Sequence, residues 1–155
     1  MKLPHAILEA CAAQVLPGCF YRHGEQELAN IELDKTTAAD RIVYLDDKMP
    51  FRFNVNKYQI LTGATYSCLL LLLIPSKLTD LAEVRQPRVA EMVDAAARLV
   101  AALGKHPDVA SVRLVRPADV LFNQFDRNAD GVGLYLDLTP KGGLNLCLPP
   151  DQSQL

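Results

Sequence analysis

The chain lacks a long apolar run. Its longest, Cys68–Ile74, covers seven residues, whereas a membrane-spanning helix needs about 20, so no membrane partner is expected. It also lacks a basic excess. The formal net charge is −2, and a general nucleic-acid binder shows a basic surplus or stripe. No sequence-specific nucleic-acid partner is expected. Arg113, Arg116 and Arg127 form the only loose basic cluster, and a solvated strand edge accounts for them. No basic stretch followed by an apolar stretch stands at the N-terminus, so no secretory signal is read there. The protein is expected to stay where it is translated.

Catalytic signatures are missing too. There is no G-x-S-x-G, no P-loop and no G-x-G-x-x-G. Gly131 and Gly133 are two glycines without the third, and Lys141-Gly142-Gly143 reads as a hairpin turn. Asp46 and Asp47 are adjacent, but neighbours on an extended chain point apart, so they make no proton-sharing dyad. No catalytic residue and no cofactor is assigned. Of the four cysteines, Cys11, Cys19, Cys68 and Cys147, none forms a C-x-x-C pair or has a histidine at ligand spacing. They are expected to be free, with Cys68 a small core residue. His5, His23 and His106 are far apart in sequence and read as surface or capping residues.

What is present is ordinary globular material. The chain has 155 residues, 50% hydrophobic and 22% charged. That length suits one domain able to bury roughly 70% of its unfolded surface. Residues 1–148 are expected to form it, with 149–155 as a loose tail. Pro4–Val15 reads as a helix with Ile7, Ala10, Cys11 and Val15 on its apolar stripe, stopped by Pro17-Gly18. Cys19–Arg22 and Arg41–Leu45 read as short strands. Phe51–Ile60 alternates apolar and polar residues, which marks a strand with one wet face, and Gly63 is read as interrupting it. Thr65–Ile74, apolar on both faces, reads as a central strand covered on both sides.

A long helix is expected over about Pro87–Leu103, with Thr79 as its N-cap and Gly104 just past its end. Its inward stripe is Val89, Met92, Val93, Ala96, Val100 and Leu103, while Glu91, Asp94 and Arg98 face away. Strands over Val109–Arg116 and Val132–Leu138 follow. Elements segregated in this order argue for α+β, with a mostly antiparallel sheet of about five strands. Two helices cover both faces of such a sheet poorly. The second face of Leu69–Leu73 therefore needs either another layer of the same chain or a neighbouring subunit.

Asp126-Arg127-Asn128-Ala129-Asp130-Gly131 matches the first half of an EF-hand calcium loop, and Asp137 falls at its twelfth position. Asp126, Asn128, Asp130 and Asp137 are thus the candidate metal ligands. Position twelve is Asp rather than the bidentate Glu, position eight is Gly133, and a strand pattern follows where a helix belongs. The competing reading is a loop in which Asp and Asn bond their own backbone and Gly131 takes a positive φ. On balance no metal site is assigned.

The helix Val89–Ala96 leading to a strand, then Asn123-Gln124-Phe125-Asp126-Arg127-Asn128-Ala129-Asp130-Gly131-Val132 and an alternating strand, resembles the tail-completion or tail-terminator proteins of long-tailed bacteriophages and prophages. The resemblance covers about residues 40–147. It implies a non-enzymatic α/β subunit without cofactor. Such subunits form a ring, commonly of about six copies, at the head-proximal end of the tail. The ring stops growth of the tail tube and joins the tail to the neck. The implied partners are itself, the tail tube protein and a neck or connector protein. The implied location is the virion, after synthesis in the host bacterial cytoplasm. The alternatives are a head-completion or neck connector protein of the same kind of particle, or a small metal- or ligand-binding module around Asp126–Gly131.

Overall fold

The computed structural model describes residues 3–24, 40–124 and 128–142. The proposed tail, Cys147 and Asp126 lie outside them. In chain order the elements are α1 (Pro4–Val15), β1 (Phe20–Gly24), β2 (Ile42–Asp46), β3 (Phe51–Val55), β4 (Leu61–Pro75), α2 (Ala82–Lys105), β5 (Val109–Leu114), β6 (Asp119–Gln124) and β7 (Ala129–Pro140). The architecture is α+β, with a mixed, mostly antiparallel sheet. β1 and β2 are parallel and every other pair is antiparallel.

Among the described residues the sheet has seven strands, where about five were expected. The difference comes from two broken lines. β2 and β3 both pair with the same edge of β4, through Leu70–Leu73 and Leu61–Tyr66 respectively. β5 and β6 both pair with the outer edge of β7. Each break carries a proline, Pro50 or Pro117, which has no N–H to give to a ladder. The chain bridges each break with one bond: Ser67 N–H donates to the Pro50 carbonyl, and Val115 N–H to the Tyr135 carbonyl. β6 has no counterpart in the expected strands.

β4 and β7 form the spine, paired without interruption from Tyr66↔Leu138 to Pro75↔Ala129. Strand alternation sorts their side chains into two faces. Cys68, Leu70, Leu72 and Ile74 of β4 and Val132, Leu134, Leu136 and Leu138 of β7 join Val43 and Leu45 in the main core. Both described helices contribute to that core, so this is the helix face. α2 supplies Met92, Ala95, Ala96, Leu99 and Leu103, and α1 supplies Ile7, Leu8, Cys11 and Ala12. On the second face a smaller cluster joins Ile42, Leu73 and Ala129, flanked by the half-buried Leu71 and Leu121.

The helices differ in detail from the expectation. α2 begins at Ala82 rather than near Pro87, which lies inside it, and no side chain caps its start. Thr79 is therefore not the N-cap. The last helical residue is Lys105, so Gly104 is inside the helix. Val93 is exposed, and Ala95 and Leu99 are buried in its place. The buried positions Met92, Ala96, Leu99 and Leu103 step by four, three and four, which keeps one face inward at 3.6 residues per turn. Val93, one residue from Met92, is carried onto the flank. Glu91 does not simply face away: Arg41 Nε donates to its Oε1 at 2.6 Å and Arg41 Nη2 to its Oε2 at 2.9 Å, tying the start of β2 to α2. On α1 the buried stripe runs Ile7, Leu8, Cys11, Ala12, with Ala10 outside.

The expected strand Phe51–Ile60 ends at Val55. Asn56 then makes the turn, its Oδ1 accepting from the N–H groups of Tyr58 and Ile60, and Gln59 takes a φ of 63°. Gly63 does not interrupt a strand. It lies within β4 opposite Asn54, at a register shift, with a φ of 152°.

Leu71, expected in a strand covered on both sides, is half-buried on the second face, whereas its neighbour Leu72 is fully buried on the helix face. Leu72→Ala should therefore cost about 2–5 kcal/mol, and Leu71→Ala clearly less. Urea melts of the two variants check the order.

Candidate functional site

The structure separates the candidate metal ligands. Asn128 sits in the left-handed region with a φ of 54°, and its carbonyl accepts from both the N–H and the hydroxyl of Ser76. It, not Gly131, makes the turn. Asp130 and Asp137 both lie on β7, seven residues apart, so roughly 23 Å separates them at a strand's rise. An even and an odd position on one strand also point to opposite faces. Asp130 is on the helix face and Asp137 on the second face. They cannot share an ion. Among the described residues no group of three or more His, Cys, Asp or Glu is placed to hold a metal.

Gly131 has another role in this motif. A Cβ there would lie 1.9 Å from the Leu72 carbonyl oxygen. The glycine lets β7 press against β4 next to a buried carboxylate. Asp130, fully buried, pairs with Arg85 of α2 at 3.4 Å, and Arg85 Nη2 also donates to the Lys77 carbonyl. This pair pins the first turns of α2 to the end of the spine. Removing one partner strands a buried charge. Asp130→Ala should lower stability by about 3–5 kcal/mol, and adding Arg85→Met should recover much of the loss; denaturant titration of both variants tests this.

Asp137 is the centre of a polar cluster on the second face. Ser67 Oγ donates to its Oδ1 at 2.8 Å; Arg113 Nη2 and Arg52 Nη2 donate to its Oδ2 at 2.9 and 3.1 Å. The carboxylate side chain is 6% exposed while the two arginine side chains are 61% and 69% exposed. Thr65 bonds Thr139 and Asn54 beside it, and Arg116 stacks on the Tyr135 ring at 3.4 Å. Arg113 and Arg116 are thus held by named partners, not merely solvated at an edge. Burial raises the Asp137 pKa, but the hydrogen bonds from Ser67, Arg113 and Arg52 outweigh it and hold the carboxyl below the ordinary 3.8. A depressed carboxyl stabilises the fold fully above its unfolded pKa and loses that contribution as pH falls through the folded value. Acidification below about pH 4 should therefore destabilise the parent more steeply than Asp137→Asn, as read from urea midpoints along a pH series.

Around the hairpin of β3 and β4 the surface changes character. Phe51, Phe53, Val55, Tyr58 and Ile60 are each more than half exposed. By register with Tyr66 and Ala64, Phe51 and Phe53 stand on the helix face, and their rings pack edge to face at 5.3 Å. α2 makes its sheet contacts on β4, β5 and β7, and α1 packs on α2 and β1. The hairpin thus carries an apolar flank that neither described helix packs across. The alternation of Phe51–Val55 was visible in the sequence. That its apolar side would be the exposed one was not, because that depends on where the helices stop.

The described cysteines and histidines have the following surroundings. Cys11, Cys19 and Cys68 are free thiols. Burial, and then the nearby Asp137 charge, pushes Cys68 up to about 12, so it is an inert core residue. His106 N–H donates to the Leu103 carbonyl and caps the end of α2, while its Nδ1 accepts from the Asp108 N–H. His5 and His23 do come together, their rings stacked 5.3 Å apart at 4°, beside a hydrogen bond from the Tyr21 hydroxyl to the His5 carbonyl. This fastens α1 to β1.

No family model matches the chain, and no curated protein matches it in sequence.

Proposed function

We propose that this chain is a non-enzymatic structural subunit of a bacteriophage virion. It forms a ring, of about six copies, at the head-proximal end of the tail, stops growth of the tail tube and joins the tail to the neck. The observation that carries the reading is the hairpin. Five large apolar side chains, Phe51, Phe53, Val55, Tyr58 and Ile60, stand exposed within one ten-residue segment. Contiguous apolar surface of this kind marks a place where another protein sits, and its aromatic content suits the core of an interface. The sequence layout over about residues 40–147, which resembles the tail-completion group, suggests the particle.

In this reading the partners are other copies of the chain, the tail tube protein and a neck or connector protein. A head-completion or neck connector role places the same hairpin in a different joint of the same particle. A metal-binding module at Asp126–Gly131 is not favoured, because Asp130 is committed to Arg85 in the core.

Removing the gene from the parent prophage or phage should give tubes of irregular length, or tails that fail to join heads. Electron microscopy and mass spectrometry of purified particles provide the measurement. Normal infectious particles from the deletion strain, or absence of the chain from virions, would overturn the proposal.

A further inference from the structure

The sheet has two open edges that match one another. β3 pairs only with β4, and β6 only with β7, among the described residues. No described strand lies on the outer side of either, which is the usual setting for strand addition. Their directions are opposite. β3 and β7 both run antiparallel to β4, and β6 runs antiparallel to β7. β3 therefore points one way and β6 the other. A second copy laid beside the first, same way up and helices on the same side, brings β6 against β3 as an antiparallel pair.

Three features favour this contact over others. The first is apolar match. Val120 pairs with Val132 and so stands on the helix face. It is about half exposed, as are Phe51 and Phe53 on the helix face of β3. Joined, these side chains make one apolar row, the cross-strand arrangement that stabilises sheets. The second is room. β1 lies outside β2 and occupies the lane that an incoming strand would use along that half of β4. An incoming strand in that lane therefore lies beside β3. The part of the β5–β6 line that reaches β3 without striking β1 is its leading end, β6, with β5 extending past the hairpin tip. The third is charge. In this arrangement the start of β6, with Asp119, lies toward the hairpin tip, where Lys57 stands.

We infer that β3 of one copy adds to β6 of the next as an antiparallel edge strand, so that the chain assembles head to tail through two different edges. Such a contact is heterologous and closes into a ring or runs on as a filament. β1 acts as the stop that fixes the stagger between neighbours. The inference rests on the proposed ring and names its interface.

The test uses two full-length variants, Phe53→Lys on one edge and Val120→Lys on the other. Both positions are exposed, so each variant should stay folded and unfold cooperatively, at most losing the stabilisation that assembly gives the parent. The parent should assemble, as measured by analytical ultracentrifugation or native mass spectrometry. Each variant alone should lose every species above the monomer. Mixed in equal amounts, they should form a dimer and nothing larger, because each keeps one intact edge. A parent that stays monomeric, a variant that assembles like the parent, or a mixture that stays monomeric would each overturn the inference. The mixing result does not depend on the virion. A dimer in the mixture together with absence of the chain from particles would keep the contact and sink the tail reading.

Discussion

The structure depends on the pairing of β4 with β7. Ten consecutive residue pairs join them, from Tyr66↔Leu138 to Pro75↔Ala129. Each remaining strand except β1 is held by one of these two. The helices find their core on the even-numbered side chains of the same pair. The pair is long-range in sequence, with α2, β5 and β6 inserted between its strands, so its loop-closure cost must be met before the sheet exists. The run of leucines in β4 meets it by burial. Leu70, Leu72, Leu73 and Ile74 are all fully buried, each contributing about 1.5–3 kcal/mol.

The two carboxylates of β7 show how one strand serves two environments. Asp130 faces the helices and is matched by a single arginine from α2. Asp137 faces the other way and holds two arginines from strands on either side of the spine, Arg52 of β3 and Arg113 of β5. The second arrangement ties the outer strands together over the top of the spine. It also leaves the local charge positive, since two guanidiniums share one carboxylate. Gly131 belongs to the same logic: with the strand pressed against the Leu72 carbonyl, no side chain fits there.

Much of the fold was legible from periodicity. The apolar run of β4, the alternation of β7 and the 3.6-residue stripe of α2 identify those elements, because burial on a regular lattice leaves a regular trace. What was not legible follows from contacts between distant parts. The start of α2 at Ala82 rather than near Pro87 depends on Arg85 reaching Asp130 and Arg88 reaching Asp80, which no local pattern encodes. β6 was missed because its six residues, Asp119–Gln124, are polar at both ends and are recruited by the open edge of β7. The motif around Asp126–Gly131 was visible as oxygen-rich chemistry, yet parity along β7 sends Asp130 and Asp137 to opposite faces. A spacing of seven in a loop could converge; in a strand it cannot.

The exposed hairpin is best understood against how isolated sheets guard their edges. A soluble monomer shields an edge strand with lysines, proline, bulges or short length. β3 uses these sparingly. Its one charge, Arg52, turns to the second face and is engaged by Asp137, so it does not screen the helix face. A proline stands before the strand, at Pro50, not within it. Its irregularity falls at Asn54/Val55, near the turn, and leaves Phe51–Asn54 in regular register with β4. Phe51 and Phe53 therefore stand unguarded on the helix face. The same is true of Val120 in β6, where Asp119 lies on the second face with Gly133 and pairs with Arg116. Guarding residues are displaced from the apolar side of both edges in the same sense. A sequence shaped only for solubility would place a charge at Phe53 or Val120, where the fold itself asks for no apolar group.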